Sequence, residues 1–406
     1  MRISTQTFYA QSMAAMNSQQ SSLSQVQAKL ASSSQMVSPS DDPVGAANAL
    51  TVSQAISLNG QYAVSNTQAT QSLSMESNAL QSISTLLISV KSLVIEAGDG
   101  ALSDADRGSI AIQLQSDYTQ LQGLGNSQDG NGQYLFAGFV SGNAPFTQQA
   151  NGSMSYNGDQ GQRMMQVSAS QQISASDAGG TVFQSVQRGA GYVTSAASGN
   201  SGSAAFGQTS MANASDPNYG QDFVVSFTGG NYSVATTTTP STLIASGTYT
   251  AGTPISFGGV TLSVTGTPAN GDSLNVTTAK NAGTDMFGAI SDIITALQQP
   301  VSNGTPAALA QLQNALTTGN VKITNALNNV TTVNASAGSR LNELSTLSTA
   351  GTTSNLAYQT TLSNLQDVDY ASTIAQFYQA QTALQASQQV FVKMQGISLM
   401  NYVQAR

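Results

Sequence analysis

Residues 73–97, "LSMESNALQSISTLLISVKSLVIEA", decide the fold. The large aliphatics Leu73, Leu80, Ile83, Leu87, Val90 and Val94 follow one another at intervals of 7, 3, 4, 3 and 4. Such spacing keeps them on one face of a helix, whereas a strand would alternate every second position. The spacing predicts a single helix over 44–97. At ~1.5 Å per residue, about 50 residues make a rod of roughly 75 Å, far beyond the ordinary globular helix.

Just before that helix, "SPSDDPVGAANAL" (38–50) sets Asp41 and Asp42 between two prolines. A metal site would need several oxygen ligands converging from spaced positions, and the next acid along is Glu76. Capping fits the residues better. Asp42 as N-cap can accept backbone N–H bonds, Pro43 suits the first helical position, and both acids meet the positive end of the helix dipole. After the helix, "AGDGALSDADRG" (97–108) breaks the pattern. Its Asp99, Asp104 and Asp106 do not match the spacing of a calcium loop. Ser103 and Asp106 instead make a capping-box-like start to a second helix, with Ile110, Leu114, Tyr118, Leu121 and Leu124 on one face.

Asp-Gly and Asn-Gly turn signals in "SQDGNGQYLFAGF" (127–139) lead into a block, 133–283, of short alternating runs such as "DFVVSFTGGNYSVA". This reads as a β-domain of hairpins, or two small ones. Within it, the low-complexity stretch "TSAASGNSGSAAFGQTSMANAS" (194–215) is expected to be a loop or connector. Helix returns at "DMFGAISDIITALQQP" (285–300), and after Pro306 a long amphipathic run carries Leu309, Leu312, Leu316, Ile323, Leu327, Val330, Ala337, Leu341 and Leu344.

The chain ends carry narrow apolar seams. Over residues 1–37 these are Tyr9, Met16, Leu23, Leu30 and Val37, with Val26 between them; at the other end Tyr370, Phe377, Leu384 and Phe391 recur every seven, with Ile374, Ala380, Ser387 and Met394 in the adjoining row. The remaining faces are almost all Gln, Ser, Thr, Asn and Ala, where a solvated helix usually carries Glu and Lys pairs. This favours packing of both terminal helices against neighbouring molecules, with the seams unfolded until a neighbour arrives, over a self-contained coil. Acids Asp367 and Asp369 mark the start of the last helix. The expected fold class is mainly α with a β insertion: 1–42 a terminal helix, 43–139 a helical half-rod, 140–283 the β-domain, 284–366 the returning half-rod, 367–406 the last helix. Helices from opposite ends of the sequence would pair across the insertion into an elongated molecule.

Composition narrows the chemistry. Only 7% of the 406 residues are charged, against about 25% in an average protein. With 11 Lys and Arg, 19 Asp and Glu, and no basic patch, nucleic acid is not an expected partner. Cys, His and Trp are all absent, which removes disulfides, thiol nucleophiles, imidazole bases and the usual zinc ligands. Neither a catalytic residue nor a cofactor or metal ligand is assigned. A secreted carboxylate-based hydrolase or carbohydrate-binding protein remains a distant alternative, with Asp159, Asp177, Asp216, Asp222 and Asp272 scattered over the β-block. No apolar segment reads as an export signal or as long enough to span a membrane, Lys91 interrupting the best one. Two readings follow: a cytosolic protein, or one exported by a route whose signal is not an apolar segment.

Three stretches carry a resemblance. "MRISTQTFYAQSMAAMNSQQSSLSQVQAKLASSSQMVSPSDDPVGAANAL", "LSDADRGSIAIQLQSDYTQLQGLGNSQDGNGQYLFAG" and "LQDVDYASTIAQFYQAQTALQASQQVFVKMQGISLMNYV" resemble the bacterial flagellin superfamily in its N-terminal helix, its second helix with hairpin, and its C-terminal helix. "SPSDDPVG" and the ending "LMNYVQAR" resemble the hook–filament junction proteins of that superfamily more than flagellin, the alternative within it. The segment "ISFGGVTLSVTGTPANGDSLNV" is similar to β-segments of several axial flagellar proteins. The resemblance implies a non-enzymatic, secreted structural subunit of the flagellum, exported unfolded and uncleaved by the type III apparatus and assembled through its terminal helices. The implied partners are neighbouring copies of itself, the first hook-associated junction protein, flagellin, and a cytoplasmic export chaperone at the C-terminal region.

Overall fold

The structure, a computed structural model, describes residues 5–150, 152–301 and 304–404, with side chains at 7, 9–150, 152–301 and 304–393. Arg2, Ile3 and Ser4 of the quoted opening, and the side chain of Met394, lie outside the described residues. In chain order the elements are α1 (Thr5–Ser32), α2 (Pro43–Ala97), α3 (Asp104–Gly125), β1 (Phe146–Gln148), β2 (Met154–Tyr156), β3 (Met164–Gln166), β4 (Gln172–Ser174) and α4 (Gly179–Phe183). They continue with β5 (Tyr192–Ala196), β6 (Ala205–Phe206), β7 (Ser210–Met211), β8 (Phe223–Thr228), β9 (Asn231–Thr236), β10 (Leu243–Thr248) and β11 (Ile255–Phe257). Last come β12 (Val260–Leu262), β13 (Val264–Thr265), β14 (Ser273–Thr278), α5 (Met286–Leu297), α6 (Pro306–Gln366) and α7 (Tyr370–Gln404). The chain divides into two compact units, 1–64 with 347–406, and 65–346.

In the second unit, α2 buries its whole 3-4 stripe: Leu73, Leu80, Ile83, Leu87, Val90 and Val94 are closed to solvent. From Leu80 onward they share one core with Ile110, Leu114 and Leu121 of α3, Phe287, Ile290 and Ile294 of α5, and Leu316, Ile323 and Val330 of α6. By length and composition α2 is also apolar enough to cross a membrane, contrary to the sequence expectation. About two fifths of that apolar window, 39%, is buried inside the protein, while Ile88 and Ile95 are exposed.

The β-block divides where the sequence showed no boundary. Phe146, Met154, Val182 and Phe183 join the helical core, with the Phe146 ring 4.7 Å from Phe183 and 5.1 Å from Phe287. Residues 140–183, expected in the β-domain, therefore lean on the helices. Strands of three residues cannot cover rings that each bury some 150–250 Å², so the rings are covered by helices.

The second core of this unit is all-β. Five antiparallel strands in the order β10-β9-β8-β14-β5, the three-stranded β11-β12-β7 and the pair β13-β6 enclose Phe206, Phe223, Val225, Phe227, Leu262 and Leu274. Alternation in β8 turns Phe223, Val225 and Phe227 inward. Gly229 and Gly230, both at positive φ, make the two-residue turn into β9. The low-complexity stretch 194–215 is a further correction, because it contains the end of β5 and all of β6 and β7, with Thr194, Ala204 and Phe206 buried. Its small side chains let the backbone approach α6. Asn314 donates to Ala204 O (2.9 Å) and accepts from Phe206 N (2.9 Å), while Thr318 donates to Thr194 O (2.7 Å).

Candidate assembly surface

In the first unit the two terminal seams meet each other. Tyr9 packs edge-on against Phe391 at 5.5 Å between ring centroids, while at the opposite end Ser33 Oγ and Tyr370 Oη lie 2.6 Å apart, so α1 and α7 run antiparallel. Tyr9, Met16, Leu23, Val26 and Leu30 are half-buried along α1, as are Phe377, Leu384 and Phe391 along α7. Each stripe thus acquires its partner within one chain, as expected from the pairing of helices at opposite ends of the sequence. Pairing supplies the apolar surface that a narrow stripe needs to hold a helix.

Three seam assignments change. Val37 lies beyond the end of α1 and is exposed, because Ser33 at φ +56 and the bond from Ser34 N to Lys29 O close the helix with a Schellman turn. Ile374 is exposed, and Thr373 takes its place in the seam as a buried residue, in step with Phe377, Ala380, Leu384, Ser387 and Phe391. The Tyr370 ring is also exposed, its hydroxyl hydrogen-bonded to Ser33 just past the end of α1. The faces turned away from the seam carry Met13 on α1 and Ile374, Tyr378 and Val392 on α7, Tyr378 and Val392 being 61% and 65% exposed.

Where α1 ends and α7 begins, a short antiparallel bridge ties the chain together: Gln35 N donates to Gln366 O (2.7 Å) and Val368 N to Ser33 O (3.2 Å). Asp369 caps α7, accepting from Ala371 N at 3.0 Å. The Asp41–Asp42 pair follows on the other side. Asp42 caps α2 through Gly45 N (2.9 Å). Asp41 caps nothing and looks backward, its Oδ2 accepting from Val37 N (3.2 Å) and Ser38 N (3.0 Å) to hold the turn. In the second unit Ser103 and Asp106 form a reciprocal capping box. The Ser103 hydroxyl and N–H hold the Asp106 carboxyl below its usual range. Asp285, which the sequence reading passed over, caps α5 through Phe287 N and Gly288 N, and burial raises its pKa.

A second feature escaped the sequence reading. Glu76 of α2 is 1% exposed and Asp177 is 6% exposed, and both lie beside Arg340 of α6. Burial first, then the negative charge of Asp177, push Glu76 up to about 8. The gap of seven between Leu73 and Leu80 was the available signal, since Glu76 fills the vacant slot of the 3-4 rhythm, as Arg340 does between Ala337 and Leu344.

The acids of the 140–283 block hold backbone and side chains in place. Asp159 accepts from the N–H groups of Phe139, Val140 and Gly161, Asp216 from Asn218 N, and Asp222 from Thr278 N and Asn281. Asp272 accepts from Ser201, Gly202 and Ala269, and Asp177 from Arg340 and Gln162. No group of three or more acids that could hold a metal ion occurs among the described residues. A groove of about 670 Å³ runs between the end of β5 and helices α5 and α6, with Asp292 and Lys322, 3.7 Å apart, on its wall.

Comparison with known proteins matches the chain in three blocks. Residues 3–141 match the bacterial flagellin N-terminal helical region and 321–403 its C-terminal helical region, while 195–278 match the D2-like domain of flagellar hook-associated protein 1. Over 399 residues, 98% of either chain, the sequence is 30% identical to flagellar hook-associated protein 3 of Salmonella typhimurium and 29% identical to that of Escherichia coli. Among solved structures it is similar to FlgL of Xanthomonas campestris (28% identity, TM-score 0.69, covering 77% of this chain and 99% of that one). It is likewise similar to flagellar hook-associated protein 3 of Legionella pneumophila (26% identity, TM-score 0.69, covering 78% and 98%).

Proposed function

The chain belongs to the family of flagellar hook-associated protein 3, and we propose that this structural subunit of the hook–filament junction binds its neighbours through the outward faces of α1 and α7. Flagellin, the alternative within the superfamily, is not favoured: the flagellin models match only the helical ends, whereas the hook-associated relatives match over 98% of the chain. The observation that carries the surface is the division of labour on α7. Its seam face closes on α1, while Ile374, Tyr378 and Val392 stand exposed on a helix whose single charged residue is Lys393. Exposed apolar side chains in such a row suit packing against another subunit.

The finer partners are neighbouring copies, the first hook-associated junction protein on the hook side and flagellin on the other. The match of 195–278 to a domain of hook-associated protein 1 supports placement beside that protein. A cytoplasmic chaperone would cover the C-terminal region before export without cleavage, and a chain free of cysteine passes a narrow channel unhindered by disulfides. A deletion strain should show hooks without filaments and flagellin free in the medium. Complementing it with Tyr378→Asp should give a folded, secreted protein that does not incorporate, since burying an unpaired charge costs several kcal/mol. Filaments of normal length in that strain would reject the outward face as the assembly surface.

A further inference from the structure

The β3–β4 hairpin, residues 164–174 with its following turn to Asp177, is attached to α2 and α6 by buried charges that do not balance. Its polar anchors are few. Arg340 of α6 donates to Ser174 O (3.0 Å) and to the Asp177 carboxylate, Asp177 N donates to Glu76 Oε1 (3.2 Å), and Gln162 donates to Asp177 Oδ1 (2.9 Å). Its apolar anchors are short, Val167, Ile173 and Ala175 being its buried hydrophobic side chains.

Two carboxyl groups share one guanidinium here. Arg340 pairs with Asp177, and Glu76 Oε1 lies beside that pair, 3.2 Å from Asp177 N. With both carboxyls buried and Arg340 paired to Asp177, burial and the neighbouring negative charge favour a proton on Glu76. No other charge relieves the pair. On the hairpin side Arg163 turns its Nη1 to Gln133 (2.8 Å). Asp129, on the neighbouring turn, accepts from Asn131 N and Gln133 N. On α6 the next acid, Glu343, accepts from Gln171 (3.1 Å), and on α2 the Glu76 Oε2 atom is buried without a hydrogen-bond partner among the described residues. Two buried anions facing one cation are unfavourable in a site of low polarity.

We propose that a proton held on Glu76, beside Asp177 and Arg340, docks the β3–β4 hairpin onto α2 and α6, so that this hairpin is a pH-released segment of the helical core. Docking takes up that proton, and release returns it to solvent. A carboxyl whose pKa is raised from 4.5 to about 8 stabilises the docked state fully below its free value, and the stabilisation is lost as pH climbs through 8. Over that window, release of one proton weakens docking by up to about tenfold per pH unit. Above it the curve is flat.

Amide hydrogen exchange on the full-length chain reads this directly, after correction for the pH dependence of intrinsic exchange. Protection of the β3–β4 amides should fall at least about tenfold between pH 6 and pH 8.5, while α5 amides at Ile290–Ile294 keep theirs. Glu76→Gln, neutral at every pH and nearly isosteric, should keep the hairpin protected throughout. Flat protection in the unmodified chain overturns the proposal, as does a Glu76→Gln protein that follows the same falling curve. If Glu76→Gln fails to fold, Asp177→Asn removes the second anion while the burial of Glu76 remains, and must shrink the total fall between pH 6 and pH 8.5; an unchanged fall there overturns the proposal equally.

Discussion

A methyl group added at Gly45 would meet the carboxylate of Asp42 at 2.3 Å, because Asp42 is pinned there by its bond to the Gly45 N–H. Met36 Sδ, 3.1 Å away, ends a flexible side chain and can move aside. The cap and the glycine are therefore one device, and their substitutions should be coupled. Asp42→Ala should cost about 1 kcal/mol by removing the cap. Gly45→Ala should destabilise the unmodified protein, yet stabilise the Asp42→Ala protein by about 0.5–1 kcal/mol, since alanine is the better helix residue once the clash is gone. Urea midpoints of the four proteins measure the cycle, and equal effects of Gly45→Ala in both backgrounds would disprove the coupling. At this scale the sequence was legible where a motif encodes geometry: Asp42, Ser103 and Asp106 sit at recognisable cap positions. Asp41 was misread because an acid before a cap can turn either way, and only the fold shows it reaching back to Val37 and Ser38. Glu76 and Arg340 were illegible as a pair because 264 positions separate two gaps in two seams, and nothing local says that those gaps face each other.

Among the elements, α1 and α7 offer the sharpest test. Phe391→Asp places a charge on the seam against Tyr9 and should unpair α1 from α7, with loss of helical circular dichroism and early cleavage within 5–32 in limited proteolysis. Tyr378→Asp, on the other face, should leave helix content and cleavage unchanged while blocking incorporation. If the two variants behave alike in the isolated chain, the seam is not what holds the helices together. Helix positions and lengths were readable because apolar residues recur every three or four over many turns, and α2 begins and ends where its caps and glycines indicate. The strands of 194–215 were hidden for a physical reason. Ala, Gly, Ser and Thr carry little hydrophobic pattern, and what folds them is backbone contact with Asn314 and Thr318 more than a hundred residues later.

For the molecule as a whole, the all-β core is an insertion whose ends are neighbours. Tyr192 and Thr278 are register partners on adjacent strands, and Ala279 N donates to Gly191 O at 2.9 Å. Replacing 193–277 by a short glycine linker should leave a cooperatively unfolding helical core, because the aromatic cluster of Phe146, Phe183 and Phe287 belongs to the helices and not to the insertion. A shortened chain that shows no cooperative urea transition would mean the two cores are not independent. The pairing of α1 with α7 has a different reach. Its partners, Tyr9 and Phe391, lie 382 positions apart, so α1 can be matched only once the long stretch between them has been made. Any polypeptide that stops short of residue 370 leaves α1 without its complement, whatever the state of the rest. The closing of that pair thus reports that the chain has been made as far as Phe391 and has folded back onto its own α1.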